Sequence, residues 1–229
     1  MAPAAFSKGV PPSMWYVVRA ARLVGSRGCL PPAALAWLVL QIGLAMVNNG
    51  GEVVVGVMGL PNWSGEGLVL SAIRGEGTWR HSPRQPGQAR AAVRVDSAGE
   101  WESARVCISD HEEWACLPLA RGLEEGCERV KVLPICCGSL CKYAAVAMGE
   151  ASVFVQHPIS IANLKVWDHA AGVICVEEAG GKVTDFNGER LSLGSGQRTF
   201  APGGGGVVVS NGSLHASSLT NIHCGYQQA

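Results

Sequence analysis

The sequence predicts an α/β protein, and three observations support this prediction. In the second half, short β-branched runs alternate with Ala- and Leu-rich runs of helical length, as in RVKVLPI, SLCKYAAVAMG and ASVFVQH. Such alternation is typical of a sheet covered by helices. In the first half, apolar runs separated by Asn- and Gly-rich turns predict an antiparallel meander. An apolar content of 48% in 229 residues is enough for one sizeable core or two small ones.

The first-half elements follow from apolar runs and the turns between them. The run at residues 33–47 is too short to span a bilayer comfortably and predicts a buried strand or helix. Residues 40–60 predict a hairpin, because the Asn-Asn-Gly-Gly run at 48–51 tolerates the positive φ angles of a tight turn. A third strand is expected at 68–74.

Segments containing Gly, Pro and Asn later in the sequence predict one surface excursion and two turns. Five arginines fall within residues 80–105 among Pro, Gln and Gly, which is typical of a surface excursion. The Asn-Gly pairs at 187–188 and 211–212 predict turns. The glycine run at 203–206 predicts a flexible approach to the last strand.

Charge and cysteine content exclude several classes of protein. A formal net charge of zero and an aromatic share of 6% do not suit a nucleic-acid polymer as partner, so small-molecule chemistry is favoured. Nine cysteines form an odd set without a repeating pair spacing, which indicates a reducing compartment. The densest group is Cys136, Cys137 and Cys141, which fits small residues packed beside a helix better than a metal site.

The beginning of the chain has the composition of a transit peptide. The first 51 residues contain no Asp or Glu but several basic residues among Ala, Ser and Pro. This composition suits a plastid or a mitochondrion. A cytoplasmic location is the alternative, because an unrelated misread exon would look the same.

Two helix beginnings carry candidate functional residues. In VWDHAAGVICVEEAGG, Asp168 lies where an N-cap belongs and Gly180-Gly181 where a left-handed helix end belongs. The small residues at 170–172 would let a phosphate or a metal approach the backbone, and a carboxylate there can hold Mg²⁺ through its oxygens. A plain helix cap is the simpler interpretation of Asp168.

The second helix beginning is GSLCKYAAVAMG. Ser139 and Lys142 stand three residues apart on the first turn, where free amides and the helix dipole favour an anion. The alternative is that Ser139 is a simple cap and Lys142 a solvated charge.

These two motifs resemble a known family. WDHAAG and EEAGGKVTD look like the C-terminal signature of the magnesium-dependent, lithium-sensitive phosphatases related to inositol monophosphatase. GSLCKYAAVAMGEASVFV with KVWDHAAG is most similar to the 3'(2'),5'-bisphosphate nucleotidases, which convert 3'-phosphoadenosine 5'-phosphate to AMP. The resemblance implies a layered α-β-α-β-α sandwich of the inositol monophosphatase and sugar phosphatase type, with an incomplete N-terminal part.

The resemblance also implies roles for the residues already singled out. Asp168 would be a ligand of Mg²⁺ and would face the substrate. Gly138, Ser139 and Lys142 would contact the nucleotide or its phosphate, and no covalent nucleophile would be required. The expected partner is a small nucleotide bisphosphate, with no nucleic-acid polymer and no membrane; the sequence does not indicate an oligomeric state.

The sequence departs from the family in two places. Family members carry a DPxDGT run that binds the metals, expected shortly before Gln41, whereas this chain has four aspartates in all and none before Glu52. Gln156 stands where many eukaryotic relatives have a phosphate-binding arginine. We therefore expect impaired phosphatase activity, from truncation or a faulty gene model. The alternatives are a non-catalytic nucleotide-phosphate-binding remnant and an inositol phosphate phosphatase.

The expected organisation has three regions. Residues 1–38 match nothing in the family, residues 39–132 are a remnant of an antiparallel-sheet domain, and residues 133–229 form an α/β domain.

Overall fold

A computed structural model describes residues 14–22, 39–85, 87–109, 113–123, 130–135, 138–156, 164–193, 199–200 and 206–227. The strands are β1 (Met14–Arg22), β2 (Val39–Val47), β3 (Val53–Leu60), β4 (Leu68–Ile73), β5 (Gly77–His81), β6 (Ala91–Val93), β7 (Arg105–Ser109), β8 (Lys131–Ile135), β9 (Val153–Gln156), β10 (Leu164–Lys165), β11 (Lys182–Asp185), β12 (Thr199–Phe200) and β13 (Val207–Ser210). The helices are α1 (Pro118–Gly122), α2 (Ser139–Ala147), α3 (Ala170–Glu178) and α4 (His215–Gln227).

The first sheet is a six-stranded antiparallel meander in the order β1-β2-β3-β4-β5-β6. The predicted hairpin and the predicted third strand are confirmed as β2, β3 and β4. The hairpin turn is fixed by the Asn48 side-chain oxygen, which accepts hydrogen bonds from the amides of Gly50 (2.9 Å) and Glu52 (3.0 Å). Gly51 supplies the positive φ of 82° that the turn requires.

The second sheet has five strands in the order β11-β13-β9-β7-β8. Strand β7 runs parallel to β8 and β9, and β13 is antiparallel to β9 and β11. This sheet begins at Arg105, and the boundary expected between residues 132 and 133 falls inside β8. The three-region organisation stays a prediction.

The five-stranded sheet separates two hydrophobic cores. Cys107 and Phe154 face the core shared with α2, α3 and the six-stranded sheet. Val106 and Val155, the alternating neighbours, face a second core shared with α1 and α4. The predicted α/β sandwich is therefore confirmed, with four described layers: the six-stranded sheet, α2 with α3, the five-stranded sheet, and α1 with α4.

Several other expectations concern single segments. Residues 87–92 are exposed, as expected of a surface excursion. The two Asn-Gly turns are confirmed by positive φ at Gly188 (82°) and Gly212 (89°). Within the described ranges, no helix has the length and apolar character needed to cross a bilayer. Cys136, Cys137 and residues 201–205 lie outside the described residues.

Asp96 ties the segment between the two sheets to the five-stranded sheet. Its carboxylate accepts hydrogen bonds from Ser152 Oγ (2.5 Å), Asn211 Nδ2 (2.6 Å) and Arg105 Nη2 (3.0 Å). Burial raises the pKa of this carboxyl, but hydrogen bonds from Ser152, Asn211 and Arg105 outweigh it and lower the pKa overall. The excursion thus returns to a fixed point beside the starts of β7 and β9.

His215 begins α4 and connects it to the five-stranded sheet. Its Nδ1 lies 2.8 Å from Ser210 Oγ and its Nε2 lies 2.9 Å from Thr184 Oγ1. The residue is only 2% exposed. Burial, with a smaller contribution from Lys182, lowers the pKa of His215 to about 4, so the imidazole is neutral in the folded chain.

We expect His215 to make stability depend on pH below about 6.5. Because its pKa is lower in the fold than in the unfolded chain, its stabilising effect is complete above pH 6.5 and is lost as the pH falls toward 4. The shift corresponds to a loss of about 2 kcal/mol in the free energy of unfolding at pH 5. The His215→Asn variant should therefore show a smaller difference between urea unfolding at pH 7.5 and at pH 5.

His223, on the same helix, is the matched control because its side chain is exposed. The His223→Asn variant should retain the pH dependence of the unsubstituted chain. An equal pH dependence in both variants would contradict the assignment to His215.

Candidate functional site

The start of α2 lies against the start of β2. Gly138 is the residue before the helix, and a methyl group there would lie only 2.5 Å from the Gln41 side-chain oxygen. Ser139 is the first helical residue, and its hydroxyl donates to Gln156 Oε1 at 3.4 Å. Ser139 is therefore not the helix cap, and that alternative is wrong. Gln156, where the family's arginine is absent, instead faces this serine.

The start of α3 differs from the expectation for Asp168. Residues Val166–Asp168 form a 3₁₀ turn, the N-cap position belongs to His169, and the cap makes no side-chain hydrogen bond. The prediction that Asp168 caps the helix is therefore wrong. The physical reason is that Val166 and His169 are both buried, at 0% and 1% exposure, which fixes where the turn ends and the helix begins. The predicted helix end is confirmed, since Gly180 has a φ of 95°.

The small residues after Asp168 serve packing. Ala170 and Ala171 are each 1% exposed. A methyl group on Gly172 would overlap the ring of Tyr143 from α2. The expectation that these residues clear space for a phosphate or a metal is therefore corrected: the space is filled by an aromatic ring, which lets α2 and α3 approach closely.

A buried hydrogen bond joins the two helix beginnings. The Tyr143 hydroxyl lies 2.8 Å from His169 Nδ1, and the two rings meet edge to face with centroids 5.7 Å apart. Burial lowers the pKa of His169 to about 4 and raises the pKa of Tyr143, so both groups are neutral. Tyr143 directly follows Lys142 and His169 directly follows Asp168. A side-chain bond thus links the residue after Lys142 to the residue after Asp168.

Sequence reasoning did not identify this pair as the connection between the helices. The signal was present: α2 is rich in alanine but carries one tyrosine, and α3 carries one glycine after two alanines. Small residues facing one large ring indicate close helix packing. The same small residues are also compatible with space for a bound ligand. The sequence alone does not distinguish close helix packing from such a space.

Lys142 is buried, which makes its interpretation as a solvated charge wrong. The residue is 3% exposed, and its ammonium lies 5.6 Å from the centroid of the Phe154 ring on β9. Its charge also lowers the pKa of Cys107 on β7, although burial dominates and raises that pKa to about 12. Lys142 therefore faces the five-stranded sheet.

Asp168 is half-buried and has a different cationic neighbour. Burial raises the pKa of its carboxyl, and the charge of Lys165 acts in the opposite direction. Lys165 also lies 5.9 Å from the centroid of the Trp167 ring. The Tyr143–His169 bond thus joins α2 to the start of α3, while Gly138 and Ser139 contact Gln41 and Gln156 and the ammonium of Lys142 extends toward β7 and β9.

The described residues do not fit a magnesium site of the implied type. Two-ion phosphatase sites require several oxygen ligands held at once. Within the described part of the chain, no group of three or more His, Cys, Asp or Glu side chains is placed to hold a metal ion. Asp185 has a structural role, since its Oδ1 accepts hydrogen bonds from the backbone amides of Asn187 and Glu189, both at 2.9 Å. Among the residues that the structure describes, Asp168 remains the one candidate ligand.

A second charged region lies toward the other end of α3. A cavity of about 230 Å³ is lined by Glu52, Arg74, Glu177 and Arg190, among others. Arg74 pairs with Glu177 at 2.7 Å and Arg190 pairs with Glu52 at 2.8 Å. These charges balance one another, so the cavity is better explained as a structural ion-pair network than as an anion site.

Comparison with known proteins gives a consistent result. The sequence profile of the inositol monophosphatase family matches residues 39–227. A mitochondrial protein of Arabidopsis thaliana, whose name provisionally assigns it as a 3'(2'),5'-bisphosphate nucleotidase, is 40% identical over 226 residues, covering 86% of this chain and 54% of that protein. The 3'(2'),5'-bisphosphate nucleotidase of Schizosaccharomyces pombe is 30% identical over 203 residues, covering 82% of this chain and 54% of the relative.

A solved structure extends the similarity to the fold. The inositol monophosphatase of Thermotoga maritima superposes with a TM-score of 0.61 at 25% identity, covering 82% of this chain and 63% of that protein. The chain spans about half the length of the two curated relatives.

We expect Gly172→Ala to destabilise the chain, because the added methyl group overlaps the Tyr143 ring. Overpacking of this kind costs about 1–3 kcal/mol, which exceeds the roughly 1 kcal/mol that alanine gains over glycine in a helix. Urea unfolding measures the difference. The control is Gly99→Ala, since a methyl group at Gly99 meets nothing within 4 Å. Unchanged stability of Gly172→Ala would show that the helices do not depend on this contact.

Proposed function

The chain belongs to the inositol monophosphatase family, and we propose that it is a phosphatase of the bisphosphate nucleotidase type that removes the 3'-phosphate of 3'-phosphoadenosine 5'-phosphate to give AMP. The observation that carries the proposal is its similarity to bisphosphate nucleotidases across most of its length. The two helix beginnings that carry the family motifs are joined in space by the bond between Tyr143 and His169.

We assign roles in the proposed site by exposure and charge. The backbone at Gly138 and the hydroxyl of Ser139 stand at the start of a nine-residue helix, where amides favour a phosphate. Asp168, half-buried on the turn before α3, is the candidate carboxylate among the described residues. Lys142 is buried, so its proposed contribution is positive potential.

Turnover by this chain is proposed to be slow. The family implies Mg²⁺, which supplies an activated water and neutralises phosphate charge when bound. The described donor set has one candidate carboxylate and does not fit such a site, so no hydrolytic step is assigned to the ion here. Ser139 and Asp168 would then orient the phosphate more effectively than they promote its hydrolysis.

Two other functions have observations in their favour. The presence of one candidate carboxylate among the described residues favours a protein that binds a nucleotide phosphate without hydrolysing it. The similarity to an inositol monophosphatase structure favours an inositol phosphate as substrate.

We propose a mitochondrial or plastid location from the mitochondrial relative and the acid-free beginning of the chain, with the cytoplasm as the alternative.

Phosphate release tests the proposal directly. The purified chain is incubated with 3'-phosphoadenosine 5'-phosphate and Mg²⁺, with inositol 1-phosphate in parallel. We expect release from the nucleotide at a rate more than about 10³-fold below that of the Schizosaccharomyces pombe relative, since losing even one transition-state contact can cost that much. Asp168→Asn should abolish the remaining release, and the exposed Glu76→Gln should leave it unchanged.

Calorimetric titration with AMP separates the alternatives. Binding without release supports the non-catalytic function, and faster release from inositol 1-phosphate supports the other substrate. Release that Asp168→Asn does not alter would contradict the assigned site. Neither release nor binding would contradict the proposed function.

A further inference from the structure

We infer that Gln41 is a specificity-determining residue of the proposed site, and that its side-chain amide binds a hydroxyl group next to the phosphate of the ligand. The inference rests on the proposed function, which places a phosphate at the start of α2. The ligand class is a phosphate monoester with a hydroxyl on the adjacent carbon, as in a ribose 3'-phosphate with its 2'-hydroxyl. Inositol 1-phosphate has the same arrangement, so both candidate substrates belong to this class.

Gln41 occupies a core-facing position of the six-stranded sheet. Side chains alternate between the two faces of a strand, and the β2 positions that share a face with Gln41 are Gly43, Ala45 and Val47. Ala45 and Val47 belong to the core that this sheet shares with α2 and α3. Gln41 itself is only 5% exposed. An amide thus stands on a face whose other positions along β2 are small or apolar.

The Gln41 amide lies against the residue that precedes α2. A methyl group on Gly138 would lie 2.5 Å from Gln41 Oε1 and 2.6 Å from Gln41 Nε2, so both polar atoms meet this residue. Gly138 is the N-cap residue of a nine-residue helix. Because Gly138 has no side chain, the buried amide reaches the end of α2 at which a phosphate is proposed.

The Gln41 amide has no protein partner in the described part of the chain. None of the described residues forms a hydrogen bond with it. Its polar atoms are not sealed from solvent, so a ligand can reach them. Burying an amide without a hydrogen-bond partner costs free energy, and a ligand group that bonds to the amide removes that cost. This position is therefore better explained by binding than by packing.

The chemistry of the amide selects a neutral group of the ligand. A glutamine side chain both donates and accepts hydrogen bonds, as a hydroxyl does. It carries no charge, so it compensates a second phosphate less well than Arg or Lys would. A phosphate held at the helix start brings the hydroxyl of the neighbouring carbon toward Gly138, whereas a whole ribose ring separates the adenine base from that phosphate. The other amide at this helix start, Gln156, already accepts from Ser139.

Calorimetric titration without Mg²⁺ tests the inference apart from catalysis. The two ligands are 3'-phosphoadenosine 5'-phosphate and its 2'-deoxy analogue, which differ by one hydroxyl. We expect the unsubstituted chain to bind the deoxy analogue about 3- to 10-fold more weakly, which is the effect of one hydrogen bond. Gln41→Met keeps the length of the side chain but removes the amide, so it should bind both ligands equally. Gln88→Met is the matched control and should keep the preference, because Gln88 is exposed.

Urea unfolding without ligand separates binding from a structural role. Gln41→Met should leave the free energy of unfolding unchanged or raise it, since the variant buries no unpartnered amide. A loss of stability in Gln41→Met would overturn the inference. So would equal binding of the two nucleotides by the unsubstituted chain, or a preference that Gln41→Met retains. These three results leave the proposed function intact as long as a nucleotide binds, whereas binding of neither nucleotide would contradict both.

Discussion

The close contact between α2 and α3 is the constraint on which the rest of the structure depends. Gly172 leaves room for the Tyr143 ring, and the Tyr143 hydroxyl reaches His169 at 2.8 Å. His169 is also the N-cap residue of α3, so this bond holds the start of α3 against α2. The two helices then fill the layer between the sheets, so the candidate site and the main core share the same contact.

The same packing decides how the charges near the site are distributed. The Lys142 side chain extends from α2 toward the five-stranded sheet and is buried near Phe154 and Cys107. Asp168 lies on a turn where Lys165 is the neighbouring cation. A family signature therefore survives in the sequence although the described side chains do not assemble several carboxylates around one point. Family membership follows from the matched sequence, whereas metal binding depends on a set of ligands that the described residues do not supply.

The two sheets differ in how completely they are covered. The five-stranded sheet has a core on each face, one shared with α2 and α3 and one with α1 and α4. The six-stranded sheet has α3 on one face and partly exposed aliphatic side chains on the other. A large contiguous apolar surface on a protein is normally an interaction site or an aggregation hazard.

The sequence by itself determined several strands, turns and helix ends. The hairpin around Asn48, the strand at 68–74 and the helix end at Gly180 follow from local backbone preferences that tertiary packing does not override. It also determined the family, because the motifs are contiguous. Only the tertiary structure decided that the small residues near Asp168 accommodate Tyr143 and that Lys142 is buried. The physical reason is that the space beside Asp168 and the burial of Lys142 both depend on what packs against each helix. The residues that pack there are distant in the chain, so the local sequence does not specify them.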